Sequence, residues 1–284
     1  MIHTLLTESA VLAHGVIPLQ TAQGEVLELI RNDALLSASL WVNVALAGVS
    51  AVLFAYMARS VRSQRARLIF GATILIPLVS ISSYLGLLSG LTVGLIEMPA
   101  GHALAGEEVL SQWGRYLTWT LSTPLILLAL GVLAAVDTAD LFAVVAADIG
   151  MCVTGLAAAL ITSSYAYRWA FYVISCAFFA VVLYALVARW PANAEAAGTA
   201  EIFSTLRALT VVLWLGYPIV WALGVEGLAL VDSTALTSWG YSLLDIGAKY
   251  AFAYLLLQWV AANESVVQET TSPDAVAATS PTDD

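Results

Sequence analysis

The sequence predicts an all-α membrane protein, a bundle of seven transmembrane helices, and three observations carry that prediction. Of its 284 residues, 61% are apolar and only 11% charged, where an ordinary soluble domain carries roughly 25% charged residues. The apolar residues fall in long runs, many near the ~20 residues that cross a bilayer as a helix. Polar or Gly/Pro-containing breaks separate these runs, which lie near residues 35–59, 68–92, 113–135, 139–162, 167–190, 203–226 and 235–262. Because most breaks are short, sequential helices should pack as antiparallel neighbours.

Residues 1–33 read as an extramembrane N-terminal arm carrying Glu8, Glu25, Glu28 and Asp33. A short helix is expected over 24–31, and no charged segment leads into an apolar core as in a signal peptide. Residues 34–262 form the transmembrane domain. The first loop holds Arg59, Arg62, Arg65 and Arg67, and the second holds Glu97, His102, Glu107 and Glu108. Since basic loops stay on the cytoplasmic side, the N-terminus is expected outside and the tail, 263–284, in the cytoplasm. The Ser, Thr, Pro, Ala and Asp of that tail predict disorder. The second loop, residues 93–112, is long enough to fold over the outer mouth. Together these readings place the chain in the cell membrane as a multi-pass protein.

Ten basic against twenty acidic residues give a net charge of −10, which argues against a nucleic-acid partner, since phosphate binding needs a concentrated basic surface. The acidic excess suits life in high salt. Cys152 and Cys176 lie inside apolar runs and read as small hydrophobes, not as a disulfide or metal site. No nucleotide-binding loop or extramembrane domain offers an energy source.

Lys249 is the sole lysine. In the last run, LLDIGAKY places Asp245 and Lys249 four residues apart, on one helical face. A charge at the centre of a membrane helix costs roughly 2.5–3.5 kcal/mol, which makes such a residue a functional candidate by default. A desolvated amine forms a Schiff base with an aldehyde, because burial exposes its nucleophilic lone pair. Asp245 would then be the counterion, one turn away. The alternative is a structural ion pair with Lys249 snorkelling to an interface, against which its mid-span position speaks.

The sixth run, TVVLWLGYPIVWALG, carries Trp214, Tyr217 and Trp221 at three- and seven-residue spacing, a face able to bracket a flat conjugated ligand. Ordinary aromatic packing is the competing reading for each ring alone. The third run, WGRYLTWTLSTPLILLALGVL, points Arg115, Thr118, Trp119 and Ser122 into the bundle. Taken by themselves, Thr120 and Thr123 read as hydroxyls bonded back to their own helix. Asp148 has no arginine near it in sequence and reads as a neutral or hydrogen-bonded structural carboxyl.

RYLTWTLSTP, WLGYPIVWALG and LLDIGAKY together resemble the third, sixth and seventh helices of microbial rhodopsins, and more narrowly those of the archaeal light-driven inward chloride pumps. The resemblance runs through all the helices and the second loop. It implies that Lys249 carries all-trans retinal as a protonated Schiff base, with Asp245 and Arg115 forming its ion-pair environment. It further implies that Trp119, Trp214 and Trp221 enclose the polyene, Tyr217 stands beside Asp245, and Met151 and Tyr172 lie near the ionone ring. Asp148 would bond to Thr123. Thr118 stands where proton-pumping relatives carry a proton-accepting aspartate, and Ala129 where they carry a proton donor. Arg207 and Thr210 match residues lining the anion exit, and the family assembly implies a homotrimer with carotenoid between protomers.

Charge arithmetic points the same way. The protonated Schiff base and Arg115 supply two positive charges, Asp245 one negative and Thr118 none, so the site carries about one net positive charge where unpaired charge is costly. It should recruit an anion. Thr118 and Ser122 can donate to a halide, so chloride or bromide is the expected occupant. Two other functions compete: a photosensor with the same chromophore, and a retinal-free permease in which the Asp245/Lys249 pair binds an anionic solute.

Overall fold

Asp33 opens the first long helix. Its carboxylate accepts the Leu36 N–H at 2.9 Å, satisfying one of the amides that a helix start leaves unpaired, and α1 runs over Ala34–Met57. Ser63, Asp137, Ser164 and Ser233 cap α2 (Gln64–Leu88), α4 (Thr138–Leu160), α5 (Tyr165–Tyr184) and α7 in the same way. Helices α3 (Gly114–Leu133) and α6 (Ala200–Leu223) start without a side-chain cap. Helix α5 continues through a π-helical stretch, Ala185–Arg189, into Trp190–Ala196. The last helix, α7, joins Thr234–Asp245 to Phe252–Ala262 through a π-helical turn, Ile246–Ala251. This computed structural model describes residues 24–269, and the expectations for residues 1–23 and 270–284 lie outside them.

Helices α1 to α6 are each long and apolar enough to cross a membrane. Helix α7 is divided by its π-turn and carries both members of a charge pair, which dilutes its apolar signal. Sequential helices pack against one another, and α7 packs against α6 and back against α1, so the ring closes. The seven-helix bundle read from the sequence is the observed fold.

The interior is asymmetric. One continuous apolar cluster fills the end nearest the α1–α2 connection, with Phe54, Ile69, Leu130, Trp190, Leu206 and Leu257 among its buried members. Ala129, fully buried, belongs to it. The opposite end holds the polar groups described below.

Four elements differ from expectation. The second loop contains a hairpin, β1 (Gly94–Glu97) against β2 (Glu108–Ser111), with Ile96 opposite Val109. Runs of four residues are too short to show period-two alternation, so the strands were invisible in the sequence. Helix α2 begins at Gln64 and not near 68, because Ser63 caps it and Arg65 folds onto the Val132 carbonyl. Helix α5 extends past 190 because its π-helical stretch lets it continue instead of ending. The tail, expected to be disordered from 263, begins with a helix, α8 (Glu264–Glu269). Its Glu264 carboxylate accepts the N–H groups of Arg62, at 2.6 Å, and Ser63, bonds that hold this carboxyl below the ordinary range. The short helix expected over 24–31 is present over residues 24–32.

One close approach fixes where α3 begins. A Cβ on Gly114 would lie 2.2 Å from Thr92 Oγ1 and 2.4 Å from Thr92 Cβ. Thr92 is β-branched and its carbonyl accepts the Gly114 N–H at 2.9 Å, so it has little freedom to retreat. Gly114→Ala is expected to destabilise the fold by about 1–3 kcal/mol, read as a lower midpoint of thermal unfolding in detergent.

Candidate functional site

The site is built where four helices meet in the polar half of the bundle. Asp245 and Lys249, one turn apart on α7, form an ion pair with Nζ 2.9 Å from Oδ1, and both side chains are at most 2% exposed. An isolated buried ion is strongly disfavoured, and the carboxylate therefore gathers donors. Tyr84 on α2 donates to Oδ2 and Tyr217 on α6 to Oδ1, each at 2.7 Å.

Arg115 on α3 is buried, and it touches Asp245 only through Tyr84. Its Nη1 donates to the Tyr84 hydroxyl at 3.1 Å, which in turn donates to the carboxylate. Nη2 donates to Ser238 at 2.8 Å and Nε to Gln112 at 2.7 Å. The guanidinium also lies over the rings of Tyr84 and Tyr241, 5.3 and 5.4 Å from their centroids, a cation–π arrangement.

On the same face of α3, the Thr118 hydroxyl lies 3.1 Å from the Gly114 carbonyl and in close contact with the Ser83 hydroxyl. Ser122 is fully buried, and its Oγ has no hydrogen-bond partner among the described residues. A buried hydroxyl without a partner costs free energy. The Thr123 hydroxyl lies 2.6 Å from Asp148 Oδ2 and 2.8 Å from the Trp119 carbonyl, tying α3 to α4.

Beside the ion pair lies an apolar cavity. Trp119, Thr123, Met151, Tyr172, Trp214, Tyr217 and Trp221 all line it. Tyr172 stacks on Trp221 with centroids 4.8 Å apart and donates to the Pro218 carbonyl at 3.1 Å. Tyr217 both lines the cavity and donates to Asp245, so the cavity abuts the charged cluster. Asp148, Asp245 and Lys249 do not line it.

Arg207 and Thr210 are not brought to this cluster. Thr210 donates to the Leu206 carbonyl at 2.9 Å, and half-buried Arg207 reaches only Ser204 among the described residues, at 3.4 Å. Sequence reasoning passed over Tyr84, Gln112 and Ser238, which hold the charged groups, Ser83, which contacts Thr118, and Cys152 and Cys176, which line the cavity.

The hairpin end is closed by a second polar cluster. Glu226, in the α6–α7 loop, accepts from Ser111 at 2.8 Å and Tyr116 at 3.1 Å, and buried Arg168 donates to its backbone carbonyl at 2.8 Å. A second, small cavity is lined by both Glu226 and Arg115. Burial raises the Glu226 carboxyl above its ordinary value despite these donors. A group whose folded value is raised contributes stability that is fully present below the unfolded value and is lost as pH rises through the folded one. Glu226→Gln is therefore expected to flatten the pH dependence of thermal stability and to raise stability at neutral pH. His102 is buried in the hairpin loop, accepts the Leu104 N–H at 3.0 Å and packs edge-on against Tyr165, the geometry of a loop-folding residue. Burial, then the charge of Arg168, lowers its imidazole below the ordinary value. Glu107 and Glu108 are exposed.

A buried amine and a carboxylate thus stand at the edge of an aromatic cavity inside seven helices. The model of bacteriorhodopsin-like proteins matches residues 34–263. The chain belongs to the bacteriorhodopsin-like family. Within that family it is 76% identical over 243 residues to halorhodopsin of Haloterrigena sp. (strain arg-4), covering 86% of this chain and 82% of that one. A structure described as halorhodopsin, a light-driven chloride pump, superposes with a TM-score of 0.82 at 73% identity, covering 83% of this chain and 99% of the other. The bromide-bound form of halorhodopsin from Halobacterium salinarum superposes with a TM-score of 0.83 at 72% identity, covering 85% and 99%. Membership of this family implies a retinal chromophore, and the residues here fit one: flat aromatic walls and an adjoining buried amine.

Proposed function

We propose that this multi-pass membrane protein is a light-driven inward chloride pump whose retinal is held on Lys249 as a protonated Schiff base. The observation that carries the reading is Thr118: on the buried face of α3 that also bears Arg115, the chain presents a hydroxyl where proton transfer would need an acid. The relatives described as halorhodopsin support the same assignment.

Lys249 would hold retinal, which would supply light absorption and a fixed positive charge at this position. The chain's own residues do the rest. Asp245, held by Tyr84 and Tyr217, offsets one of the two positive charges, and Arg115 leaves the other uncompensated. Thr118 and Ser122 present hydroxyls to the anion that this excess charge recruits. Trp119, Trp214 and Trp221 wall the chromophore, with Met151 and Tyr172 further along the cavity and the Thr123–Asp148 bond bracing its floor. Arg207 and Thr210 line the exit beyond the apolar cluster around Ala129, which blocks ions on the α1–α2 side until the pump cycles.

The arginines near the α1–α2 connection support a cytoplasmic placement of that end, with the N-terminus outside. Bromide is the expected substitute for chloride. The family resemblance supports a homotrimer with carotenoid between protomers, tested by native mass spectrometry of protein extracted in mild detergent.

The decisive experiment records the light-induced pH change of unbuffered cells supplied with retinal, in chloride and then in sulfate, with and without a protonophore. Alkalinisation enhanced by the protonophore and abolished in sulfate is the expected result. Acidification abolished by the protonophore would overturn the reading in favour of a proton pump. No response in coloured cells would point to a sensor, and colourless cells to a permease.

A further inference from the structure

Arg115 is surrounded by neutral acceptors. Gln112, Tyr84 and Ser238 take its N–H groups, and among the described residues no carboxylate forms an ion pair with it. A buried guanidinium is most often seen against a carboxylate, which would hold it well and cancel its charge.

The Ser238 contact is backed by a chain of hydroxyls that ends on α1. Ser238 Oγ lies 2.7 Å from Ser39 Oγ, and Ser39 Oγ lies 2.7 Å from the Leu36 carbonyl. Each serine is at most 1% exposed. Each hydroxyl has a single proton. Since the Leu36 carbonyl only accepts, Ser39 donates to it, Ser238 donates to Ser39, and the Ser238 lone pair is left facing Arg115. The competing acceptor for the Ser238 proton, Gln112 Oε1, is farther away at 3.3 Å. Ser39 is itself fixed, because its own carbonyl accepts from Ser242 at 3.0 Å and from Asn43 at 3.2 Å.

We infer that Ser238, oriented by Ser39, is a positioning residue for anion binding: it anchors the Arg115 guanidinium with a neutral acceptor, so that the positive charge stays available to the halide. The inference rests on the anion-pump reading above and extends it to α1, which contributes no group to the site itself.

The test is a chloride titration of the purified pigment, reading the halide-dependent shift of its visible absorption band. Ser238→Ala is expected to weaken chloride binding about five- to tenfold, with pigment yield and thermal midpoint close to the parent. Ser238→Thr keeps the hydroxyl and should stay within about twofold of the parent. Ser238→Asp would hold the guanidinium firmly but neutralise it, and should weaken binding by about a hundredfold or more. That ordering, alanine impaired, threonine restored and aspartate worst, is not expected of a merely structural serine. Affinities of the alanine and aspartate variants within twofold of the parent would overturn the inference. Should Ser238→Ala form no pigment, Ser39→Ala decides: a two- to threefold weakening supports the relay and an unchanged affinity overturns it. A parent pigment whose band ignores halides altogether would instead refute the anion-pump reading.

Discussion

Replacing Thr118 by aspartate is expected to abolish chloride binding and to convert the light response into proton movement. Thr118 is 3% exposed and its hydroxyl is held between the Gly114 carbonyl and Ser83. A carboxylate there adds a second negative charge beside Lys249 and brings the cluster from about one net positive charge to neutrality. Two like charges about 4 Å apart near a protein surface repel by about 4 kcal/mol, so chloride affinity should fall by roughly three orders of magnitude. The carboxylate would also be a base without the Tyr84 and Tyr217 donors that hold Asp245. The check is paired: chloride titration of the visible band, and the sign of the light-induced pH change. A Thr118→Asp protein that bound and carried chloride like the parent would refute the charge argument.

Replacing Lys249 by alanine is expected to remove visible absorption entirely after exposure to retinal. It should also unbalance the fold. Lys249 and Asp245 are a closed pair at 2.9 Å with almost no solvent access, and removing one partner of such a pair leaves an uncompensated charge at a cost of about 3–5 kcal/mol. The double variant Asp245→Asn/Lys249→Ala, which removes both charges, should recover much of that loss while staying colourless. Thermal unfolding in detergent gives the first result and an absorption spectrum the second. A coloured Lys249→Ala protein would place the chromophore elsewhere.

Much of this architecture was legible in the sequence, for a physical reason. A membrane helix must satisfy its own backbone bonds, so its length and apolarity are written locally, and so is the face shared by Asp245 and Lys249. The partners of those residues were not legible. Tyr84 and Ser83 sit in an unremarkable apolar run, and they matter only because α2 lies against α3 and α7, a relation that single-helix periodicity does not contain. Ser39 and Ser238 are 199 positions apart. The π-turn at Ile246–Ala251 leaves no mark in apolar spacing, and the hairpin strands are too short to alternate visibly. The cysteines were read as inert because nothing in the sequence shows which faces of α4 and α5 border the cavity.

The dispersal of the site over α2, α3, α6 and α7 constrains how the molecule can be made. Chains are synthesised from the N-terminus, and domains generally form in that order, yet the amine and its counterion arrive together on the last membrane helix. Until α7 inserts, Tyr84, Arg115 and Tyr217 have no carboxylate to converge on, and α1 lacks the helix that closes the ring. With the chromophore attached to Lys249 as proposed, its capture is a terminal event in biogenesis: colour would report completed insertion of every span, and truncated or stalled chains would remain invisible to it.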